Sequence, residues 1–295
     1  MRHFPDVSAL LKGMKNVGSE VLEVSGLCKR YSGFALENVS FSLKSGTITG
    51  FIGRNGAGKT TTLHCLLHLT HPDEGHVSFF GEEFAGHEAA IKNQIGYVSG
   101  GVSYYPRKPL KTITAVNRRF YSQWDDAVYL RCLEEFSLDE RKTPTELSEG
   151  MKVKYALTLA LSHHARLLIL DEPTSGLDPV SREDLLELFL RLRRREDAAI
   201  LFSTHITSDL DNCADRILYL RDGRLVADAA LDEFTAGYWL LRTKERPESA
   251  IGPRENRTGW TALLAAGDAV PAGGETVAAS LEDIMVHLEK GEWSE

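Results

Sequence analysis

The sequence predicts an α/β fold built on a largely parallel central sheet, and three observations carry that expectation. Short apolar runs of buried-strand type recur at 47–53 (TITGFIG), 167–172 (LLILDE) and 199–205 (AILFSTH). Helix-forming stretches lie between them, as crossover connections between parallel strands require. The composition is that of an ordinary globular chain, with 42% apolar and 26% charged residues over 295 positions. That is enough apolar material for a core and rules out a wholly disordered polymer. Length alone suggests about two domains.

Residues 1–19 form a polar lead-in without a clear period, and Met14 is a candidate native start. From Val21 the pattern alternates: VLEVSGL and, after a Ser-Gly turn, ALENVSFSL predict an N-terminal antiparallel β subdomain. TITGFIG follows as a buried strand ending at Gly53. A helix is expected to open at Gly58-Lys59 and run through TTTLHCLLHLT to Pro72. HVSFFG and IGYVSG read as further strands. Residues from about 102 to 163 are rich in helix formers and predict a small helical subdomain, with DDAVYLRCLEEFSL its clearest helix. Leu147–His164 reads as a cap followed by a helix, with His163-His164 capping its end. SREDLLELFLRLRRRED is an amphipathic helix, and RILYLRDGRLVADAA a hairpin turning on Asp222-Gly223.

The composition changes near residue 237. Residues 20–236 read as one domain and 237–295 as a short α+β appendage. In the appendage Leu281, Ile284, Met285 and Leu288 share one helix face, with Ser280 as N-cap and Asp283 at the third helical position.

Composition also narrows the function. A formal charge of -8 argues against a protein that coats duplex nucleic acid, which needs a basic face. The best candidate for a membrane span, Tyr155–Leu170, is broken by His163, His164 and Arg166. MRHFPDVSALLKGMK lacks the apolar block of a secretory signal. Cys28, Cys65, Cys132 and Cys213 are scattered, with no metal-binding spacing, and read as reduced cytosolic thiols. His64, His68 and His71 sit close in sequence, but no carboxylate is placed to complete a metal site, so packing is the preferred reading. The basic run Arg191–Arg195 reads as a solvated helix end.

The chemistry concentrates in two segments. Gly53-Arg54-Asn55-Gly56-Ala57-Gly58-Lys59-Thr60 fits GxxxxGK[ST], between an apolar strand and a helix. Its glycines permit the backbone angles that turn successive amides toward phosphates. The helix adds its positive dipole end, Lys59 a mobile charge and Thr60 a hydroxyl for Mg²⁺, with Thr61 beside it. The fold class thereby becomes that of a P-loop NTPase. LLILDE then delivers Asp171 and Glu172 at the carboxyl end of a buried strand, where open parallel sheets bind ligands. Asp171 is placed to hold Mg²⁺ and Glu172 to activate an attacking water.

With these residues, the stretch from about Val21 to Ala236 resembles the ATPase subunit of an ATP-binding cassette transporter. Leu147-Ser148-Glu149-Gly150-Met151 lies where that family carries its signature, and Pro173-Thr174-Ser175-Gly176-Leu177-Asp178 matches its D-loop. Ser203-Thr204-His205 matches the switch histidine, and Tyr31 the aromatic that stacks on adenine. The resemblance implies ATP and Mg²⁺ as cofactors, and a head-to-tail dimer, of two copies or of related subunits, with ATP between them. The phosphate loop of one subunit would face Ser148 and Gly150 of the other, His205 would contact the γ-phosphate, and Asp178 would communicate across the dimer. The implied partner is a separate transmembrane permease, placing the chain on the cytoplasmic face of the membrane; no nucleic acid is expected.

Two departures stand out. The signature carries Glu149 and Met151 in place of glycine and glutamine, and Gly100 stands where the family has a glutamine that meets Mg²⁺ and couples to the permease. The signature form and the terminal LEDIMVHLEKGE resemble the branch that serves bacterial exporters of peptides, antibiotics or lipid-like molecules. A soluble ribosome- or DNA-associated ATPase, and a poorly hydrolysing regulatory subunit suggested by Gly100, are the alternatives. The aromatics Tyr104, Tyr105, Phe120, Tyr121 and Trp124 read first as the core of the helical subdomain and second as a groove for a permease helix.

Overall fold

The computed structural model of the chain describes residues 19–100, 104–194 and 198–290. The lead-in with Met14, and Arg195 of the basic run, lie outside them. The chain divides into two compact units. The first holds the residues up to His205 together with Leu218–Asp228, and the second Ile206–Ile217 with the residues from Ala229 onward.

The first unit opens with β1 (Glu20–Tyr31) and β2 (Phe34–Lys44), joined by a tight turn at Gly33. With β4 (Glu74–Phe79) and β5 (Glu82–Glu83) they form an antiparallel sheet in the order β2-β1-β4-β5. β3 (Ile48–Ile52) is buried at every position and leads through the phosphate loop into α1 (Lys59–Leu66). The short α2 (Glu88–Lys92) precedes β6 (Ile95–Ser99). The helical region holds α3 (Leu110–Asn117), α4 (Asp126–Glu135) and α5 (Glu149–Ser162). β7 (Leu167–Asp171), α6 (Pro179–Arg193) and β8 (Ala199–Thr204) then complete the alternation. β9 (Arg216–Arg221) and β10 (Arg224–Ala230) form the expected hairpin, in which Asp222 and Gly223 both take positive φ, 47° and 79°. A Cβ on Gly223 would lie 1.7 Å from the Ala35 carbonyl oxygen, so this turn tolerates only glycine.

The six-stranded sheet runs β10-β9-β3-β8-β7-β6, and its β3–β8, β8–β7 and β7–β6 pairs are parallel. Leu167–Leu170 pair with Ala199–Phe202, apolar against apolar, and the carboxyl ends bring Asp171 opposite Ser203. The apolar runs are continuous because this sheet is covered on both faces.

Two expectations for this unit are corrected. α1 ends at Leu66 rather than running to Pro72. His68 takes φ 51°, and the amides of Leu69 and Thr70 both return to the His64 carbonyl, a left-handed helix stop. His68 therefore leaves the helix face of His64 and pairs instead with Glu88 at 3.2 Å. The five aromatics expected to form the core of the helical subdomain do not: Tyr104, Tyr105 and Phe120 are exposed, and Tyr121 and Trp124 half-buried. The interior is held by Val128, Cys132, Leu133 and Val153, and by a buried hydroxyl chain. There Thr114 Oγ1 lies 3.0 Å from Tyr129 Oη and 2.8 Å from Tyr155 Oη, and Tyr155 donates to the Leu110 carbonyl. Amphipathic spacing marks which residues a helix turns inward, but not that three hydroxyls can satisfy one another there.

The second unit contains α7 (Thr207–Cys213), α8 (Leu231–Ala236) and an antiparallel sheet of β11 (Tyr238–Thr243), β12 (Ile251–Asn256), β13 (Gly259–Ala265) and β14 (Glu275–Ala278). Its order is β12-β13-β11-β14. α9 (Leu281–Leu288) packs on this sheet and on α7, with Leu281, Ile284, Met285 and Leu288 all buried. Ser280 Oγ accepts from the Asp283 amide at 3.1 Å while Asp283 Oδ2 accepts from the Ser280 amide, the reciprocal cap that the spacing predicts.

Candidate active site

The site is built at the carboxyl ends of β3, β7 and β8. The loop leaving β3 starts at Gly53, whose φ of 154° and close approach to the Leu220 carbonyl exclude a side chain. It ends at Gly58, which N-caps α1 at φ 109°; a Cβ there would meet Phe34 and Leu36 at 2.6 and 2.7 Å. Glycine is thus required at both ends of the loop.

The Lys59 side chain is only 6% exposed. Its Nζ donates to the carbonyls of Gly53 (2.7 Å) and Arg54 (3.3 Å) and lies 3.4 Å from Glu172 Oε1. Thr60 Oγ1 donates to Asp171 Oδ2 at 2.9 Å, and Ser203 Oγ donates to Asp171 Oδ1 at 2.6 Å. Glu172, the next residue, has φ 50°, a left-handed conformation that costs a non-glycine residue about 1–3 kcal/mol. Its amide is held by both the hydroxyl (3.0 Å) and the carbonyl (3.1 Å) of Ser203, and its Oε2 lies 2.8 Å from His205 Nδ1.

These groups open onto a cleft of about 670 Å³, the size of a small-molecule site. Asn55, Gly56, Gly58, Lys59, Thr60, Thr61, Glu172 and His205 line it, so most of the residues singled out in the sequence meet in one place. Gly53 and Asp171 stand behind this lining. Tyr31 is 49% exposed at the end of β1 and is not part of the lining, whereas its neighbours Gly33 and Phe34 are. Ser148, Gly150 and Asp178 do not line the cleft either. Ser148 N-caps α5, accepting from the Met151 amide at 3.3 Å. Asp178 N-caps α6, and the hydroxyl and amide of Ser181 hold its carboxyl below the usual carboxylate range. A Cβ on Gly150 would touch Ser181 at 3.3 Å, so the two capped helix starts pack side by side.

Gly100 has φ 57°, and its amide donates to the Asp171 carbonyl at 3.3 Å. The backbone there is left-handed, a conformation that glycine adopts without cost and that strains other residues.

Sequence reasoning did not single out Ser175, which also lines the cleft, or Ser203 as a partner of the Asp171 carboxylate and the Glu172 amide. The signal for Ser203 was present: it ends the apolar run that must pair with LLILDE, and parallel pairing in register sets it opposite Asp171.

Comparison with known proteins decides the family. The family model described as ABC transporter matches residues 36–175. The bacitracin transport ATP-binding protein of Bacillus licheniformis is 31% identical over 217 residues, covering 72% of this chain and 71% of the relative. The chain belongs to the ABC transporter family. Among other relatives of this ABC ATPase, the Nod factor export ATP-binding protein I of Burkholderia orbicola is 36% identical over 208 residues, with 68% of each chain covered. A solved structure described as the ATP binding subunit of an ABC transporter superposes with a TM-score of 0.64 at 32% identity, over 72% of this chain and 91% of its own. The ABC ATPase therefore binds and hydrolyses ATP as a transporter subunit and works with a separate permease; the ribosome- or DNA-associated alternative is not favoured. No helix among the described residues is long and apolar enough to cross a membrane.

Proposed function

We propose that the cleft hydrolyses Mg²⁺-ATP with Lys59, Glu172 and His205 as its working groups. The observation that carries this is their convergence: one carboxylate, Glu172, lies within 3.4 Å of Lys59 Nζ and 2.8 Å of His205 Nδ1. In such a site the phosphates lie on the loop amides and the dipole of α1, with Lys59 as the counter-charge. Asn55, Gly56, Gly58 and Thr61 complete the cradle, and Tyr31 stacks on the base. Glu172 accepts a proton from the attacking water, and His205 orients that water and the γ-phosphate.

The residues present fit Mg²⁺. Thr60 Oγ1 and Asp171 Oδ2, both hard oxygen donors, already lie 2.9 Å apart at the edge of the cleft. They would hold the ion. Bound there, it would supply positive charge against the phosphate oxygens.

Ser148, Gly150 and Asp178 lie off this cleft, on two adjacent helix starts that offer positive dipole ends. That arrangement supports the reading that they complete the nucleotide site of a second subunit in an ATP-bound head-to-tail dimer. The exposed Tyr104, Tyr105 and Phe120 offer aromatic anchors for a permease segment, at the cytoplasmic face of the membrane. The names of the relatives favour an exporter.

The experiment is ATPase activity and nucleotide binding of wild type and Lys59→Ala, with and without Mg²⁺. Turnover that requires Mg²⁺ and falls by about 100-fold or more in Lys59→Ala is expected. Unchanged turnover in the variant would sink the assignment.

A further inference from the structure

Ser203 is completely buried at the end of β8, in parallel register with Asp171 of β7. Its hydroxyl has a single proton, and the geometry shows where it goes. Ser203 Oγ donates to Asp171 Oδ1 at 2.6 Å and accepts from the Glu172 amide at 3.0 Å. The other oxygen of Asp171 takes the Thr60 hydroxyl at 2.9 Å. One unbroken chain of hydrogen bonds therefore runs from the backbone of Glu172 through Ser203 and Asp171 to Thr60.

We propose that Ser203 is a positioning residue for ATP hydrolysis. Its hydroxyl fixes the Asp171 carboxylate so that Oδ2 faces Thr60, and it helps hold Glu172 in the left-handed turn that aims the carboxylate at the cleft. The metal side and the water side of the site are thereby set by one group. This rests on the reading that Asp171 and Thr60 hold Mg²⁺ and Glu172 activates water.

A buried serine in a helix can satisfy itself by returning its hydroxyl to the carbonyl one turn back, as Ser162 does to Thr158. Ser203 instead reaches across to the neighbouring strand and the turn that follows it. The preceding residues of β8, Ile200, Leu201 and Phe202, are buried and apolar and offer Asp171 no replacement donor. With alanine at 203, Asp171 Oδ1 loses a donor in a place closed to water. The carboxylate would then compete for the Thr60 hydroxyl that the ion itself needs. Ser203→Ala should therefore harm metal-dependent nucleotide binding selectively, whereas a packing defect would harm nucleotide binding in general.

The test measures binding of a fluorescent ATP analogue to the full chain, with Mg²⁺ and with chelator, alongside Mn²⁺ binding by electron paramagnetic resonance and kcat. Ser203→Ala should weaken the Mg²⁺-dependent part of binding about tenfold, the usual scale for a residue that orients a metal ligand. Binding in chelator should stay within about twofold, kcat should fall at least about tenfold, and Ser203→Thr, which keeps the hydroxyl, should restore both. Wild-type Mg²⁺ dependence and kcat in Ser203→Ala would overturn the proposal. So would equal losses with and without Mg²⁺, unrelieved by threonine. If a thermal melt shows that the alanine variant does not fold, Ser203→Cys, similar in volume and a weak donor, must show the same selective loss. Failure of the underlying reading is seen separately, as wild-type binding indifferent to Mg²⁺ or Lys59→Ala binding as wild type does.

Discussion

Glu172 Oε2 lies 2.8 Å from His205 Nδ1, and the two residues come from successive strands of the parallel sheet. A general base needs an oriented carboxylate within reach of a water, and a partner that holds both in line. Glu172→Gln keeps the shape and removes the basicity. Turnover should fall by about 10²- to 10⁴-fold while Mg²⁺-ATP still binds, and size exclusion with Mg²⁺-ATP should show a stabilised dimer. A variant that hydrolyses normally would remove Glu172 from the mechanism.

Ser148 is already used inside its own subunit as the N-cap of α5. Ser148→Ala should cost about 1 kcal/mol of stability through the lost cap, a shift of only a few degrees in Tm. In the Glu172→Gln background it should also weaken the ATP-dependent dimer. If the dimer forms as before, the signature segment is a structural cap and nothing more.

Gly100 has open space around its missing side chain but a φ of 57°. Gly100→Ala and Gly100→Gln should each lose about 1 kcal/mol to backbone strain. Comparing the two isolates the glutamine side chain. If it restores metal contact or coupling, only the glutamine variant gains Mg²⁺-dependent or permease-stimulated turnover. If both show the same small loss, the position acts through its backbone alone.

His163 closes α5, is buried, and stacks on Tyr121 at 3.8 Å with Nδ1 3.2 Å from the Asn93 carbonyl oxygen. Burial pushes its pKa down to about 4, while the unfolded chain titrates near 6.5. Between these values the unfolded state binds more protons than the folded one. The stability from neutral His163 is therefore complete above pH ~6.5 and drains away as pH falls toward ~4, a loss of about 3 kcal/mol. Urea midpoints at pH 5 and 7.5 should show a smaller difference in His163→Phe than in wild type. Equal differences would place the acid sensitivity elsewhere.

The central sheet was legible because LLILDE and AILFSTH are buried on both faces and need no tertiary information to read as strands. The cleft was legible because its residues follow one another in short motifs, Gly53–Thr60 and Asp171–Glu172. What escaped depended on contacts distant in sequence. Ser203 acquires its partners only when β8 docks beside β7, and the exposure of Tyr104 and Phe120 depends on what else fills the helical core. The apolar pattern overstates α1 because Leu69 continues the run of Leu66 and Leu67 even though the backbone turns left-handed at His68, between them. The expected glutamine at Gly100 is missing in the sequence itself; the structure adds that the backbone there is left-handed.

The division of the chain into two units carries a practical consequence. The polypeptide enters the second unit at Ile206, leaves it by Leu218 and re-enters at Ala229. No single stop codon separates the two. Ending the chain at residue 236, the apparent seam, removes α9 but leaves α7 behind, with Leu210 and Cys213, buried residues of a helix that packs against α9. A phenotype of such a truncation would report on half a domain left without its other half, and a clean dissection needs substitutions within the unit or an internal replacement of 206–217 as well.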